Sequence, residues 1–188
     1  MRVSPILYFD VETQLSAADV GGWENAQDMR VSVACAYDSA EWHFYEEQSI
    51  GDLVYQIRIA ALVIGFNIKA FDYQVLSRYT DLDFNEIPTF DLLDEIYQQL
   101  GHRVSLDDLA QATLGIAKTG DGVGAIELWQ VGEMEKLKAY CQQDVEITYR
   151  LFLAGWQDGY LLYTNDAQIT EINTEPWKAR FEGLFFGV

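Results

Sequence analysis

Ile6-Leu7-Tyr8-Phe9-Asp10-Val11-Glu12 is the stretch that decides the fold. Four consecutive apolar residues suit a central strand covered on both faces, and the run then turns into acid, apolar, acid with no turn residue between. Successive strand side chains point to opposite faces, so Asp10 and Glu12 leave the same face while Val11 points into packing. Two carboxylates emerging together from an apolar strand are costly unless a cation compensates them. A second reading of the pair alone stays open: the strand ends at Asp10 and both acids face solvent.

Downstream, Gln14 to Asp28 is polar, contains Gly21-Gly22, and reads as a loop of the kind that rims a site. Met29 to Tyr37 and Glu41 to Glu46 are β-prone around Asp38-Ser39-Ala40, which predicts a hairpin. Ser49 is placed to N-cap a helix running to about Ala61, followed by a short buried strand over Leu62-Val63-Ile64-Gly65-Phe66 and a helix from Ala70 to Tyr79. Asp91 to Gln99 and Ser105 to Leu114 carry helical patterns ended by Gly101 and Gly115. Lys118 to Gly124 is a glycine-rich loop with no strand before it, so it does not fit a phosphate-cradling loop. Glu133 to about Leu153 predicts a long helix, with Leu137, Tyr140 or Cys141, Asp144, Ile147 or Thr148, and Leu151 on one stripe. Tyr160 to Tyr163 and Ile169 to Ile172 flank Asn165-Asp166 as a small hairpin. Strands first, then helices alternating with strands, predict a single α/β domain over 1–188.

The 188 residues are 49% hydrophobic, enough for a sizeable core. Cys35 and Cys141 make neither a disulfide framework nor a thiolate zinc site, and Cys35 reads as buried filler. The N-terminus carries no leader pattern, and no apolar run approaches the roughly 18 residues that span a membrane. A soluble, cytoplasmic protein without membrane association is therefore expected. Thirty acidic and 12 basic residues set a formal charge of -18. That balance repels nucleic acid at long range and supplies few cations for phosphate contacts. Four metal-ligating acids would not account for the excess.

Asp72 follows Phe71 near a helix start, as a ligand or as a first-turn acid favoured by the helix dipole. Tyr140 and Asp144, four apart, share a helix face, and an Asp on an apolar face is hard to read as solvated surface. Asp10, Glu12, Asp72 and Asp144 together offer hard oxygen ligands from three elements without a His or Cys cluster, which suits Mg²⁺ or Mn²⁺ better than zinc. Two such ions about 4 Å apart can hold a phosphodiester between them. His43 and His102 read as ordinary surface and loop residues. Trp23, Trp129 and Trp177 either stack bases or, more commonly for such residues, pack in the core. Lys69, Lys118 and Arg103 are candidates for phosphate contact.

The order and spacing resemble the DEDDy branch of the ribonuclease H-like 3'-5' exonucleases. Phe9-Asp10-Val11-Glu12-Thr13 is similar to its first motif, Asn67-Ile68-Lys69-Ala70-Phe71-Asp72 to its second, and Tyr140-Cys141-Gln142-Gln143-Asp144 to its third. The resemblance extends over roughly residues 3–155 as a catalytic core, leaving 156–188 as a helix end with a small hairpin or tail. Ser105 to Ala110 and Lys118-Thr119-Gly120 also resemble exonuclease domains found alone or attached to helicases. The resemblance implies a ribonuclease H-like α/β fold with a mixed central sheet flanked by helices. It implies that Asp10 bridges two metals, Glu12 and Asp144 complete the hydrolytic one, Asp72 supports the other, and Tyr140 orients the attacking water. Glu12 would also hold the terminal 3'-hydroxyl. Asn67 and Phe71 would shape the nucleotide pocket, with Asn67 as a helix cap the equal alternative. The expected function is release of 5'-nucleotides from a single-stranded or frayed 3' end of DNA or RNA, with a helicase or other nucleic-acid-handling protein as partner. Two alternatives accompany it: a small-oligonucleotide hydrolase, and a catalytically weak metal-dependent nucleic-acid or protein interaction domain.

Overall fold

The computed structural model describes residues 6–116, 122–165 and 168–185. Its centre is the opening stretch, now strand β1 (Ile6–Thr13). β2 (Val31–Tyr37) and β3 (Trp42–Glu46) follow it antiparallel, whereas β4 (Leu62–Gly65) and β5 (Thr89–Asp91) add in parallel on its other edge. The order β3-β2-β1-β4-β5 is the expected mixed sheet flanked by helices. Alternation along β1 divides the core. Leu7, Phe9 and Val11 pack with residues of α1 (Ile50–Ile59) and α2 (Asp72–Leu76), Phe9 stacking on Tyr73 at 5.9 Å. Tyr8 faces the opposite way, edge-on to Tyr149 at 5.0 Å and to Phe152 at 6.1 Å, both on α6 (Met134–Asp158).

Several expected elements shift for local reasons. Arg30 takes a left-handed φ of 57° and Trp23–Met29 forms 3-10 turns, so β2 starts after Met29 and the expected open loop is largely ordered. Ser49 does not cap α1: its hydroxyl donates to the Glu46 carbonyl at 3.0 Å. Phe71 has non-helical angles, which delays α2 to Asp72. Asp91 is not the first residue of α3 (Leu92–Leu100) but its N-cap, accepting from the Leu93 and Asp94 N–H groups. β5 was not expected because three residues carry no readable period. Ser105 caps α4 (Leu106–Leu109), which runs into a π turn closed by left-handed Gly115.

Of the expected Lys118–Gly124 loop, residues 118–121 lie outside the described residues, and from Gly122 the chain is helical as α5 (Gly122–Gln130), with Ala125 buried. α6 runs to Asp158 and ends at left-handed Gly159. β6 (Tyr160–Asn165) and β7 (Gln168–Asn173) form the expected hairpin, whose turn residues 166 and 167 lie outside the described residues. α7 (Glu175–Phe185), absent from the sequence reading, is anchored by Trp177 and Phe181 against Phe90 and Phe152. Trp177 is therefore core and presents no stacking face. Among the described residues, no helix is long and apolar enough to cross a membrane.

Candidate active site

β1 and β4 pair only over Ile6–Tyr8 against Leu62–Ile64. β4 stops at Gly65, where any Cβ would overlap the Ile68 side chain, and the chain turns through Asn67 at a left-handed φ of 66°. Asparagine is among the few residues that adopt this region routinely. Asp91 holds the turn: its Oδ1 accepts from the Asn67 N–H at 2.8 Å and its Oδ2 from the Lys69 N–H at 3.0 Å. One buried carboxylate thus ties the exit of β4 to the start of α3.

Because β4 ends early, β1 continues without it, and the Val11 N–H donates instead to Asp72 Oδ1 at 2.9 Å. Asp72 is fully buried, so it is not a solvated first-turn acid. Burial first, and the neighbouring Asp10 charge second, push its carboxyl well above the usual range. Glu12 is buried and Asp10 half-buried, on the face of β1 covered by α6, so the strand does not end at Asp10 with two solvated acids. From α6, Tyr140 and Asp144 are buried one turn apart, and the Cys141 thiol donates to the Asp10 carbonyl at 3.5 Å and lies 3.6 Å from Asp10 Oδ2.

These residues converge on a cavity of about 650 Å³ whose walls include Asp10, Glu12, Asp72, Tyr140, Asp144, Asn67, Phe71 and Arg103. It opens beyond the C-terminal ends of β1 and β4, and open α/β sheets bind ligands outside the carboxyl ends of their strands. Lys69 stands elsewhere, its amine paired with Asp94 at 3.0 Å, and Lys118 lies outside the described residues. Asn67 does not cap α2: its side-chain carbonyl accepts from Arg103 Nη2 at 2.7 Å, and α2 has no side-chain cap. Among the described residues, Arg103 is the one cation in the cavity wall.

The ligand atoms of Asp10, Glu12 and Cys141 lie within 4.8 Å of one another, close enough to hold a metal ion. Cys141 was not a sequence candidate; its alternation with Tyr140 in the helix stripe was the available signal. Burial, and after it the Asp10 charge, push its thiol well up, so it stands beside the acids as a protonated donor. The remaining donors are hard carboxylate oxygens crowded at low solvent access, and a divalent Mg²⁺- or Mn²⁺-type cation fits that set by charge and hardness.

Residues 7–154 match the model of a family described as the RNase_H superfamily. Among solved structures, the chain is similar to the family B DNA polymerase from the hyperthermophilic archaeon Pyrobaculum calidifontis, with a TM-score of 0.57 and 16% identity. The likeness covers 82% of this chain and 25% of that one, so the chain spans about a quarter of the polymerase and shares a fold with it. No curated protein matches the chain.

Proposed function

Since the chain belongs to the RNase H superfamily, we propose that its carboxylate cavity is the active site of a two-metal 3'-5' exonuclease of the DEDDy type, which releases 5'-nucleotides from single-stranded ends. The observation that carries this reading is the convergence of Asp10, Glu12, Asp72, Asp144 and Tyr140, from β1, α2 and α6, on one cavity.

Two divalent ions, when bound, would supply an activated water and neutralise charge on the departing 3'-oxygen. Asp10, Glu12 and Asp144 would hold the ion that activates the water, and Asp10 and Asp72 would hold the other. The Val11 N–H fixes the Asp72 carboxylate before any ligand arrives. Tyr140 hydrogen-bonds the water and orients it; a phenol, with an ordinary pKa of about 10, is a poor general base at neutral pH. Phe71 and Asn67 shape the nucleotide pocket, Asn67 by aiming Arg103.

Arg103 meets a backbone phosphate. Its partner is a neutral amide, so its charge is not spent on a carboxylate, whereas Arg30, Lys69, Arg78, Lys136, Lys138, Arg150, Lys178 and Arg180 all pair with acids. A single wall cation among the described residues favours, as a second reading, a hydrolase of short oligonucleotides that needs no long phosphate groove.

Matched 5'- and 3'-labelled DNA and RNA strands of two to thirty nucleotides, with Mg²⁺, Mn²⁺ or chelator, test both. Stepwise shortening from the 3' end in metal is expected, and cleavage restricted to the shortest strands selects the second reading. No cleavage with either metal, or Asp144→Asn cleaving at the unmutated rate, refutes the site.

A further inference from the structure

Between α1 and the segment from Thr80 to Glu86 lies a cleft of about 700 Å³, within the range of ligand-sized pockets. Val54 and Leu82 give its lining an apolar part, each partly buried against the core beneath α1. Tyr55 also lines it and is 62% exposed, and Ile59, one turn further along α1, is 42% exposed. Single exposed apolar side chains are ordinary, but large ones gathered at one cleft mark an interaction surface.

The wall opposite α1 carries Asp81, Asp83 and Glu86, all exposed, and among the described residues Arg58 is the one cation in the lining. None of these four belongs to an ion pair among the described residues. Elsewhere Asp28, Glu46, Glu47, Asp94 and Glu95 are each matched by a lysine or an arginine. Asp83 accepts from the Asn85 N–H at 2.9 Å, a neutral donor that fixes the turn at Phe84–Glu86 without balancing the charge. An apolar cleft rimmed by uncompensated carboxylates complements a cationic ligand that has an apolar part. The exposed Tyr55 adds a ring on which a guanidinium or ammonium can rest.

We propose that this cleft docks a lysine- or arginine-bearing, partly apolar segment of a protein partner. Its cations meet Asp81, Asp83 and Glu86, and its apolar side chains meet Val54, Leu82 and Tyr55. Charge selects the occupant: a chain at -18 repels both nucleic acid and a second copy of itself from this cleft, and attracts a basic segment. Position keeps the two sites apart. α1 leads into the start of β4 and the Thr80–Glu86 segment into the start of β5, so the cleft lies towards the N-terminal ends of these parallel strands. The carboxylate cavity opens beyond the C-terminal ends of β1 and β4, and a docked partner leaves it free. The docking surface needs no turnover, so it is independent of the nuclease reading.

The test is fluorescence anisotropy of a dye-labelled peptide of alternating arginine and leucine titrated with the full chain, beside the same peptide with serine for leucine or glutamate for arginine. The arginine–leucine peptide is expected to bind about tenfold or more tighter than either of the others. Tyr55→Ala, and separately Asp81→Asn with Glu86→Gln, should each weaken it about tenfold. Glu41→Gln with Glu171→Gln removes the same charge from exposed positions outside the cleft and should change affinity less than about twofold. Hydrogen exchange on the unmutated chain, which depends on no variant folding, should slow over residues 50–59 and 80–86 when the peptide is bound. An equal loss in the control pair would show general attraction to an acidic chain and overturn the docking site. Unchanged binding in Tyr55→Ala, absence of binding by the arginine–leucine peptide, or exchange slowed only outside those two segments overturns it as well.

Discussion

Asp72→Asn should make the metal-free protein more stable and the metal-loaded protein less so. The Asn side-chain carbonyl can still accept the Val11 N–H, so the bond that closes the β1 edge is kept. What is lost is a buried negative charge beside Asp10. Its folded pKa is raised by burial and by that neighbour, so above the unfolded value of about 3.9 the ionised carboxylate costs stability until a cation arrives. Relief of one uncompensated buried charge is worth about 1–3 kcal/mol. For a domain of this size, 1 kcal/mol moves Tm by about 2–4 °C, so Asp72→Asn in EDTA should melt about 2–12 °C higher than wild type. Mg²⁺ at 100 times its Kd adds about 2.7 kcal/mol to wild type, or about 5–10 °C, and the variant should gain less than half of that. Calorimetric melting of both proteins in EDTA and across an Mg²⁺ titration measures both signs. A variant that melts below wild type in EDTA and gains as much from Mg²⁺ would refute the reasoning.

Four further outcomes are expected. Tyr140→Phe should lower kcat about 10- to 100-fold with KM little changed, since water orientation acts only in the chemical step; single-turnover kinetics reads this, and an unaltered kcat removes the role. Arg103→Ala should flatten the monovalent-salt dependence of strand binding from a log–log slope of about -0.7, one phosphate contact on a single strand, to near zero. Glu47, held by Arg30 at 2.6 Å and by Tyr79 and Gln14, has its pKa pushed down to about 2, mainly by the Arg30 hydrogen bonds. Its contribution is complete above the unfolded carboxylate pKa and lost as pH falls from about 4.5 to 2. Solvent screening of half-exposed Arg30 leaves on the order of 1 kcal/mol, so Glu47→Gln should melt lower at pH 7 and converge with wild type near pH 2; parallel curves would contradict this. Asp91→Ala, which strands the Asn67, Lys69 and Leu93 N–H groups, should cost about 2–4 kcal/mol in urea unfolding, and a cost under 1 kcal/mol would show the turn holds itself.

The residues that make the candidate site were legible because their spacing obeys element geometry. Asp10 and Glu12 are two apart on a strand and Tyr140 and Asp144 four apart on a helix, and both periods are properties of the backbone alone. The long amphipathic helix and the hairpin at Asp38 were readable for the same reason. β5 and α7 were not: three residues carry no period, and α7 is held by Trp177 and Phe181 packing on Phe90 and Phe152, contacts between distant parts of the chain.

By itself, the sequence determined which side chains share a face and that hard oxygen ligands outnumber every other metal donor. Only tertiary structure decided which faces meet. Early termination of β4 at Gly65 leaves the Val11 N–H to Asp72, α6 lays Cys141 against Asp10, Asn67 turns out to aim Arg103 rather than cap a helix, and Trp23 is set beside Phe71. Those outcomes depend on pairing across tens of residues, where packing and the satisfaction of single backbone N–H groups choose among arrangements that local propensity leaves equivalent.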